Sequence, residues 1–200
     1  MQDIYEYLRY TANLIAASEF GNQLVLKGGS VLISKLIECN RLDLYRLTTD
    51  LDIHCDKKEV WIAFYTNIEN ILNNNDRNYI YRVEKRRSEI KGLETSDSLR
   101  FSLNDSGTIV NFKIDMNIKS NRIITVECSP ILNMNTYDAL TMLSDKIVAV
   151  SSDKIYRRIK DLYDITVFAS LLSDFSNVKT HFVLYSSILF AKNATLAPFI

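Results

Sequence analysis

The sequence holds few of the residue types that mark loops, linkers and disulfide frameworks. Only 5 glycines and 2 prolines occur among 200 residues, which argues against a loop-dominated or proline-rich architecture. Cys39, Cys55 and Cys128 are widely spaced and form no CxxC pair, so the sequence predicts neither a zinc site nor a disulfide framework. His54 and His181 are the only histidines, which excludes a multi-histidine metal site.

Long apolar runs and an excess of one charge are also missing. No segment approaches the ~18 uninterrupted apolar residues of a membrane span, and the N-terminus lacks the basic and apolar regions of a signal peptide. Lys and Arg number 24, as do Asp and Glu, so the formal net charge is zero and tight, non-specific nucleic-acid binding is not expected. With 47% hydrophobic residues, the composition predicts a globular, reduced, cytoplasmic protein without a membrane partner.

Hydrophobic periodicity predicts a mixed α/β part followed by a helical part. Helices are predicted over residues 4–20, 31–37 and 57–72, and strands over residues 24–26, 51–54, 79–90, 98–103, 109–118 and 123–127. The Asn-rich segment 73–78 is interpreted as a loop. After Pro130 helices are predicted over residues 136–150, 154–172 and 178–191. The expected fold class is therefore α/β (α+β), with a small mixed sheet flanked by helices in residues 1–132 and a helical C-terminal region in residues 133–200 that closes a cleft.

Three acidic residues on predicted strands form the first candidate site. Asp50 and Asp52 are separated by one residue, so on a strand they point to the same face about 6.6 Å apart. Carboxylates held this close repel each other unless a cation lies between them, and Mg²⁺ prefers carboxylate and phosphate oxygens. Asp115 lies on a later strand, and pairing of the two strands would bring it to the same ions. The three acids predict a two-metal site.

A glycine pair precedes these acids at the turn between a predicted strand and a predicted helix. Gly28 and Gly29 would let the backbone approach a triphosphate closely, and the N-terminus of the next helix offers free N–H groups. Ser30 is the predicted N-cap of that helix and can donate its hydroxyl to a phosphate oxygen. A single glycine turn or a single Asp-x-Asp is more often structural. The two together, followed by Asp115, predict a nucleoside triphosphate site.

The order of these patterns resembles the nucleotidyltransferase superfamily that includes DNA polymerase β, and within it the AbiEii-type toxin family. The resemblance lies in the stretches LKGGS (26–30), RLTTDLD (46–52), ID (114–115), DKIVA (145–149) and KDLYD (160–164), with Arg157 between the last two. The chain departs from the family pattern in a longer segment between Ser30 and Asp50. It also carries Lys160 where the family has Arg, which retains charge but not bidentate phosphate binding.

The resemblance implies a polymerase β-like fold and a Mg²⁺-dependent transfer of NMP from an NTP to an acceptor hydroxyl. The implied acceptor is a tRNA 3′ end, and the implied setting is a toxin under the control of a cognate antitoxin. Asp50 and Asp52 would hold both Mg²⁺ ions, and Asp115 would hold the catalytic ion and accept the hydroxyl proton. Lys27, in the LKGGS turn, would join the nucleotide-binding residues.

The resemblance also implies roles for three residues of the helical part. Lys146 would bind the phosphates of the nucleotide, Asp161 would line the cleft opposite the metal site, and Asp164 would position a cation or Tyr163. From spacing alone, Asp161 and Asp164 share one helix face that is expected to be exposed and to form salt bridges. In that interpretation the apolar residues of the helix, including Ile159 and Leu162, form its buried side.

Several alternatives stay open from the sequence. The acceptor could instead be a small molecule or a protein, or the chain could bind nucleotides without catalysis. His54 fits a general base or, more simply, a structural histidine at a strand end. The basic run Lys85-Arg86-Arg87 fits phosphate contacts with an RNA backbone or a sheet edge protected by charge.

Overall fold

The computed structural model describes residues 4–44, 46–88, 96–118, 124–151 and 158–172. The helices in these ranges are α1 (Ile4–Ala16), α2 (Gly28–Glu38), α3 (Lys58–Asn73), α4 (Ala139–Val150) and α5 (Ile159–Leu171). The strands are β1 (Val25–Lys27), β2 (Asp50–Cys55), β3 (Ile80–Ser88), β4 (Ser96–Asp105), β5 (Thr108–Ile118), β6 (Val126–Ser129) and β7 (Met134–Tyr137). This confirms the predicted mixed α/β class. The predicted helix at 178–191 and Arg157 lie outside the described residues.

The seven described strands form one mixed sheet in the order β3-β4-β5-β2-β1-β7-β6. Strands β3, β4 and β5 are joined as an antiparallel meander, β5 runs parallel to β2, and β2 runs antiparallel to β1. The parallel pairing of β2 with β5 joins two strands that are distant in the sequence. It is this pairing that brings the candidate acids into one place.

The two central strands alternate between a buried apolar face and a polar face. Leu51 and Ile53 of β2, with Ile114 and Met116 of β5, are completely buried in the hydrophobic core. Helix α1 adds apolar residues such as Leu8 to the same core because its hydrophobic positions recur on one side. Since successive side chains of a strand point to opposite faces, the acids of β2 and β5 are directed away from this core.

The chain divides into two compact units. The first lies in Met1–Ser120 and Cys128–Thr136, and the second lies in Asn121–Glu127 and Tyr137–Ile200. The carboxylates of β2 and β5 belong to the first unit, whereas α4 and α5 belong to the second. Within the described part of the chain, no helix is long and apolar enough to cross a membrane.

The start of α2 differs from the prediction. Ser30 was predicted as the N-cap, but the helix begins at Gly28 and its N-cap is Lys27, which makes no side-chain capping bond. Gly28 adopts φ +76°, and this left-handed conformation lets the chain turn from β1 into the helix without a spacer. Ser30 therefore lies inside the first turn, where it is completely buried.

The start of α4 also differs from the prediction. The helix begins at Ala139 rather than at residue 136, because Asp138 caps it by accepting a 2.7 Å hydrogen bond from the backbone N–H of Thr141. The preceding residues, Met134–Tyr137, form β7, which pairs in parallel with β1. A strand of four residues is too short to interrupt a helical pattern in the sequence.

The Asn-rich segment ends α3 and fixes the start of β3 at the sheet edge. The amide of Asn73 accepts a 2.8 Å hydrogen bond from the backbone N–H of Tyr81 and donates a 3.0 Å bond to its carbonyl oxygen. Asn75 does the same for Tyr79, at 3.0 Å and 2.8 Å. The two side chains thus occupy backbone positions that a neighbouring strand would otherwise use.

Candidate active site

The three predicted metal ligands lie on one face of the central strands. Asp52 and Asp115 are directly opposite each other in the parallel register of β2 and β5. Asp50, two residues before Asp52, points to the same face and lies opposite Lys113. The side chains of Asp50 and Asp115 are 23% and 26% exposed, so both carboxylates are accessible from this face. The structure therefore places the three acids on one face of the sheet, and their role as metal ligands stays a prediction.

Lys113 lies among these acids and was not identified from the sequence. Its Nζ is 2.5 Å from Oδ2 of Asp115 and 3.6 Å from Oδ2 of Asp50. Burial lowers the pKa of Lys113, but the hydrogen bond to Asp115 and the charges of Asp115, Asp50 and Asp52 outweigh it, so the pKa is raised. The ammonium group is therefore a fixed positive charge between two of the carboxylates.

Gly28 and Gly29 form the wall next to the acids. A Cβ atom at Gly28 would lie 1.9 Å from Oδ2 of Asp52, so this carboxylate packs against the first residue of α2. A Cβ atom at Gly29 would lie 2.8 Å from Oγ1 of Thr48 and 3.3 Å from an amino group of Arg46. Gly28 is thus required by the close approach of β2 itself, and Gly29 by the close approach of the segment that leads into β2.

Ser30 and Lys27 complete the turn. Ser30 is fully buried, and among the described residues its hydroxyl has no hydrogen-bond partner. A buried hydroxyl without a partner is costly, and a phosphate oxygen at the helix N-terminus is an acceptor that would satisfy it. Lys27 is 6% exposed and lies opposite Asp52 in the antiparallel register of β1 and β2. The predicted nucleotide-binding turn and the predicted metal ligands are therefore adjacent.

The ligand atoms available here are of the type that a divalent cation binds, because three carboxylates share one face beside a helix N-terminus. In the ranges described, however, no three His, Cys, Asp or Glu side chains converge as metal ligands. The contacts of Lys113 supply a physical reason, since the ammonium group holds Asp115 and Asp50 in the place of an inorganic cation. A divalent cation bound by Asp50 and Asp115 would compete with Lys113 for these oxygens.

The second unit contains a compact charge cluster at the positions that the resemblance singled out. Nζ of Lys146 is 2.6 Å from Oδ1 of Asp161 and 2.9 Å from Oδ2 of Asp164. Arg158 adds a 3.3 Å contact with Oδ2 of Asp161. Burial lowers the pKa of Lys146, but attraction by Asp164 and the contacts with Asp161 outweigh it, so the pKa is raised. Among the described residues, the cluster contains the cations Lys146 and Arg158 and the anions Asp161 and Asp164.

The orientation of α5 contradicts the expectation from spacing. Asp161 and Asp164 were expected on an exposed surface, but they are 8% and 0% exposed. Ile159 and Leu162 were expected in the core, but they are 72% and 45% exposed. The physical reason is Lys146 on α4, which pairs with both carboxylates and makes their burial tolerable.

The two weaker sequence candidates have different outcomes. His54 is buried at the end of β2, with Nε2 2.6 Å from Oδ1 of Asp56, which favours the structural interpretation. The backbone of Lys85-Arg86-Arg87 forms part of β3, while the side chains of this run lie outside the described residues.

Sequence reasoning missed Lys113 and the packing role of Thr48. For Lys113 a signal existed, since it lies two residues before Asp115 on one strand and therefore shares its face. Thr48 is 8% exposed and contacts Gly29, but nothing in the local sequence distinguishes it from its neighbour Thr49.

Comparison with known families gives one match that covers most of the chain. The family model described as nucleotidyl transferase AbiEii toxin, type IV TA system, matches residues 11–188. No protein of curated function shows significant sequence similarity to the chain.

Solved structures show the same fold at low sequence identity. JHP933 from Helicobacter pylori superposes with a TM-score of 0.52 and 17% identity, over 98% of this chain and 83% of that one. The antibiotic-resistance factor ANT(2″)-Ia superposes with a TM-score of 0.56 and 12% identity, over 96% and 97% of the two chains. These similarities confirm the polymerase β-like nucleotidyltransferase fold.

Proposed function

Because the chain belongs to the AbiEii nucleotidyl transferase toxin family and is a nucleotidyltransferase, we propose that it transfers NMP from an NTP to an acceptor hydroxyl in a Mg²⁺-dependent reaction. The observation that carries this proposal is the placement of Asp50, Asp52 and Asp115 on one face, with Asp52 against Gly28 at the N-terminus of α2. Carboxylates for metal and a helix N-terminus for phosphate are thereby adjacent.

The first turn of α2 is the proposed triphosphate site. Its backbone N–H groups are free of intrahelical partners and lie at the positive end of the helix dipole. Gly28 and Gly29 let β2 and Thr48 pack directly against this turn, and the buried hydroxyl of Ser30 can donate to a phosphate oxygen. Lys27, whose backbone caps the helix, adds a positive charge to this turn.

Asp50, Asp52 and Asp115 are the proposed ligands of two Mg²⁺ ions. When bound, such ions neutralise the triphosphate and lower the pKa of the acceptor hydroxyl. Asp115 is the proposed acceptor of the hydroxyl proton, since it is part-exposed and faces the same side as the other acids. In this arrangement most of the rate enhancement comes from positioning and charge neutralisation.

In the second unit, Lys146 is the proposed phosphate-binding residue. Its ammonium group has three N–H donors, of which Asp161 and Asp164 engage two in the described structure. Asp161 and Asp164 are then positioning residues that fix the direction of the third donor. This assignment follows the family resemblance, and the contacts among the three residues support it.

The proposed acceptor is a tRNA 3′ end in the cytoplasm, and the proposed biological role is that of a toxin controlled by a cognate antitoxin. Membership of a type IV toxin–antitoxin family supports the toxin role and an antitoxin partner. The tRNA acceptor rests on the resemblance of the sequence to this family.

Incubation with each radiolabelled NTP, Mg²⁺ and total tRNA tests the proposal. We expect label on RNA with the wild-type protein and almost none with Asp52→Ala. The matched control is Asp43→Ala, because Asp43 is exposed and its only described ion pair is with Arg41 on the surface. Unchanged labelling by Asp52→Ala would refute the assigned site. Label on the protein itself, or on an added small molecule alone, would refute the RNA acceptor while retaining the nucleotidyltransferase reaction.

A further inference from the structure

The polar face of β3, β4 and β5 forms an open groove that begins beside Asp50. The groove has a volume of about 610 Å³, and Phe101 and Phe112 line it through their backbone, because their rings belong to the core on the opposite face of the sheet. Its walls carry polar and charged side chains from each of the three strands. Because the groove ends at one of the proposed metal ligands, whatever occupies it lies next to the reacting groups of the proposed transfer.

The register of the strands orders these side chains in rows. Arg100 of β4 lies directly opposite Lys113 of β5, which lies opposite Asp50 of β2. Arg82 of β3 lies opposite Ser102 of β4, in the next row of the same face. Adjacent strands are about 4.8 Å apart, so the row from Arg100 to Asp50 is about 10 Å long. The cations are thus distributed along a path that leads to the acids.

The cations of the groove are only partly neutralised. Arg100 and Lys113 are like charges directly opposite each other, which destabilises a pair of strands. Lys113 is held by Asp115 and Asp50, but Arg82 and Arg100 are exposed and make no ion pair with any described residue. An anion over this face would relieve the repulsion.

We propose that this groove is the acceptor subsite and that it binds the phosphodiester backbone of a single-stranded nucleic acid. The inference rests on the proposed function, because it gives the place on the sheet where the acceptor of that transfer binds. Arginine binds phosphate oxygens in a bidentate manner, and Arg82 and Arg100 are available for such contacts. Ser102 and Asn111 line the same groove and add neutral hydrogen-bonding groups.

The sign of the charge separates this acceptor from the small-molecule alternative. Three cations, Arg82, Arg100 and Lys113, line the groove, so a polycationic antibiotic would be repelled from it. Glu84 is the acidic residue of the outer rim, opposite Arg100 and on the strand farthest from Asp50. It would repel a backbone that passed over it, which favours a path from Arg82 across β4 toward Lys113.

Fluorescence anisotropy of a short fluorescein-labelled single-stranded RNA with a CCA end, measured on the full chain, tests the subsite. The test variant is Arg82→Gln/Arg100→Gln, and the control is Lys57→Gln/Lys58→Gln, which removes two exposed cations outside the groove. We expect the test variant to bind RNA about 10- to 30-fold more weakly at about 0.1 M salt. The slope of log affinity against log salt should fall by about 1.4. The control should match the wild type in both measurements.

Separate readouts distinguish failure of the subsite from failure of the proposed function. The melting temperature of each variant establishes that it is folded, and the single variants should each show about a fivefold loss of RNA affinity. Calorimetric titration with each NTP and Mg²⁺ tests the nucleotide site independently. If the wild type transfers NMP but both double variants keep wild-type RNA affinity, or lose it equally, the subsite is wrong. Binding of kanamycin in preference to RNA would also overturn it.

Discussion

Gly28 lies so close to Asp52 that a single methyl group cannot be placed between them. A Cβ atom on Gly28 would lie 1.9 Å from Oδ2 of Asp52, which is far inside van der Waals contact. The same glycine adopts φ +76°, a conformation that other residues rarely adopt. The turn that begins α2 and the carboxylate of Asp52 are therefore packed so closely that only glycine can occupy position 28.

Gly28→Ala should abolish nucleotidyl transfer. It should also lower the free energy of unfolding by more than the strain of placing alanine at φ +76°, because the methyl group also clashes with Asp52. The matched control is Gly107→Ala, since Gly107 adopts φ +96° but has no atom within 4 Å of its Cβ position. Backbone strain alone should cost each variant about 1–2 kcal/mol. Urea unfolding and NTP labelling of both variants check this. Equal losses of stability together with retained activity of Gly28→Ala would contradict the close contact.

Lys113→Met should increase the affinity of the acids for a divalent cation. Removal of the ammonium group leaves Asp50 and Asp115 without the cation that now lies 3.6 Å and 2.5 Å from them. Since Lys113 is 41% exposed, we expect a modest gain of about 1 kcal/mol, or roughly fivefold. Calorimetric titration with Mn²⁺ in the absence of nucleotide measures it, with Lys57→Met as the control. Unchanged or weaker binding would show that Lys113 does not compete with metal.

Lys146→Met should destabilise the second unit strongly, because it removes the cation that contacts both buried carboxylates of the cluster. Loss of one partner of a buried ion pair costs about 3–5 kcal/mol, and Asp164 is completely buried. The control is Lys160→Met on α5, which is exposed and should change stability by less than about 0.5 kcal/mol. Chemical denaturation of both variants gives the comparison. A similar stability of the two variants would refute a structural role for the cluster.

The same cluster predicts a loss of stability at alkaline pH. Its contacts with Asp161 and Asp164 raise the pKa of Lys146 despite its burial. Its contribution is therefore complete below the pKa of an unfolded lysine, about 10.4, and is lost as pH rises through the raised folded value. The stability difference between wild type and Lys146→Met should be constant from neutral pH to about pH 10 and shrink above it. A difference that shrank below pH 9 or so would contradict this.

The three cysteines should differ in their reaction with iodoacetamide. Cys39 and Cys128 are exposed, whereas Cys55 is buried at the end of β2. Burial raises the pKa of the Cys55 thiol, and the charges of Asp56 and Glu59 raise it further. Because the thiolate is the nucleophile, native protein should be alkylated at two positions and unfolded protein at three. Mass spectrometry of the alkylated native protein measures which cysteines have reacted. Rapid alkylation of Cys55 would contradict its burial at the end of β2.

Features that depend on adjacent residues were predictable from the sequence. The residues Asn-Asp-Ser-Gly at 104–107 indicate the turn between β4 and β5, in which Ser106 and Gly107 take left-handed conformations. The side chain of Asn104 accepts a 2.9 Å hydrogen bond from the backbone N–H of Gly107. The conformation of such a turn depends on the types of four consecutive residues, so it can be predicted locally. The acids Asp50 and Asp52 were identified for a similar reason, since their shared face follows from the period of a strand.

Features that depend on distant partners were not predictable in the same way. The burial of Asp161 and Asp164 requires Lys146 on another helix, so spacing within α5 wrongly predicted exposed positions for both acids. The position of Lys113 between two acids requires the register of β2 with β5. A single sequence contains no direct record of register between strands that are far apart, and this limited the prediction of the site.

The parallel pairing of β2 with β5 also determines when the proposed active site can form during translation. Asp52 leaves the ribosome early, whereas its partner Asp115 follows only after α3, β3 and β4 have been synthesised. A nascent chain that ends before β5 therefore carries the phosphate turn and two of the acids but not the third. We therefore expect products truncated before β5 to lack the proposed transfer activity.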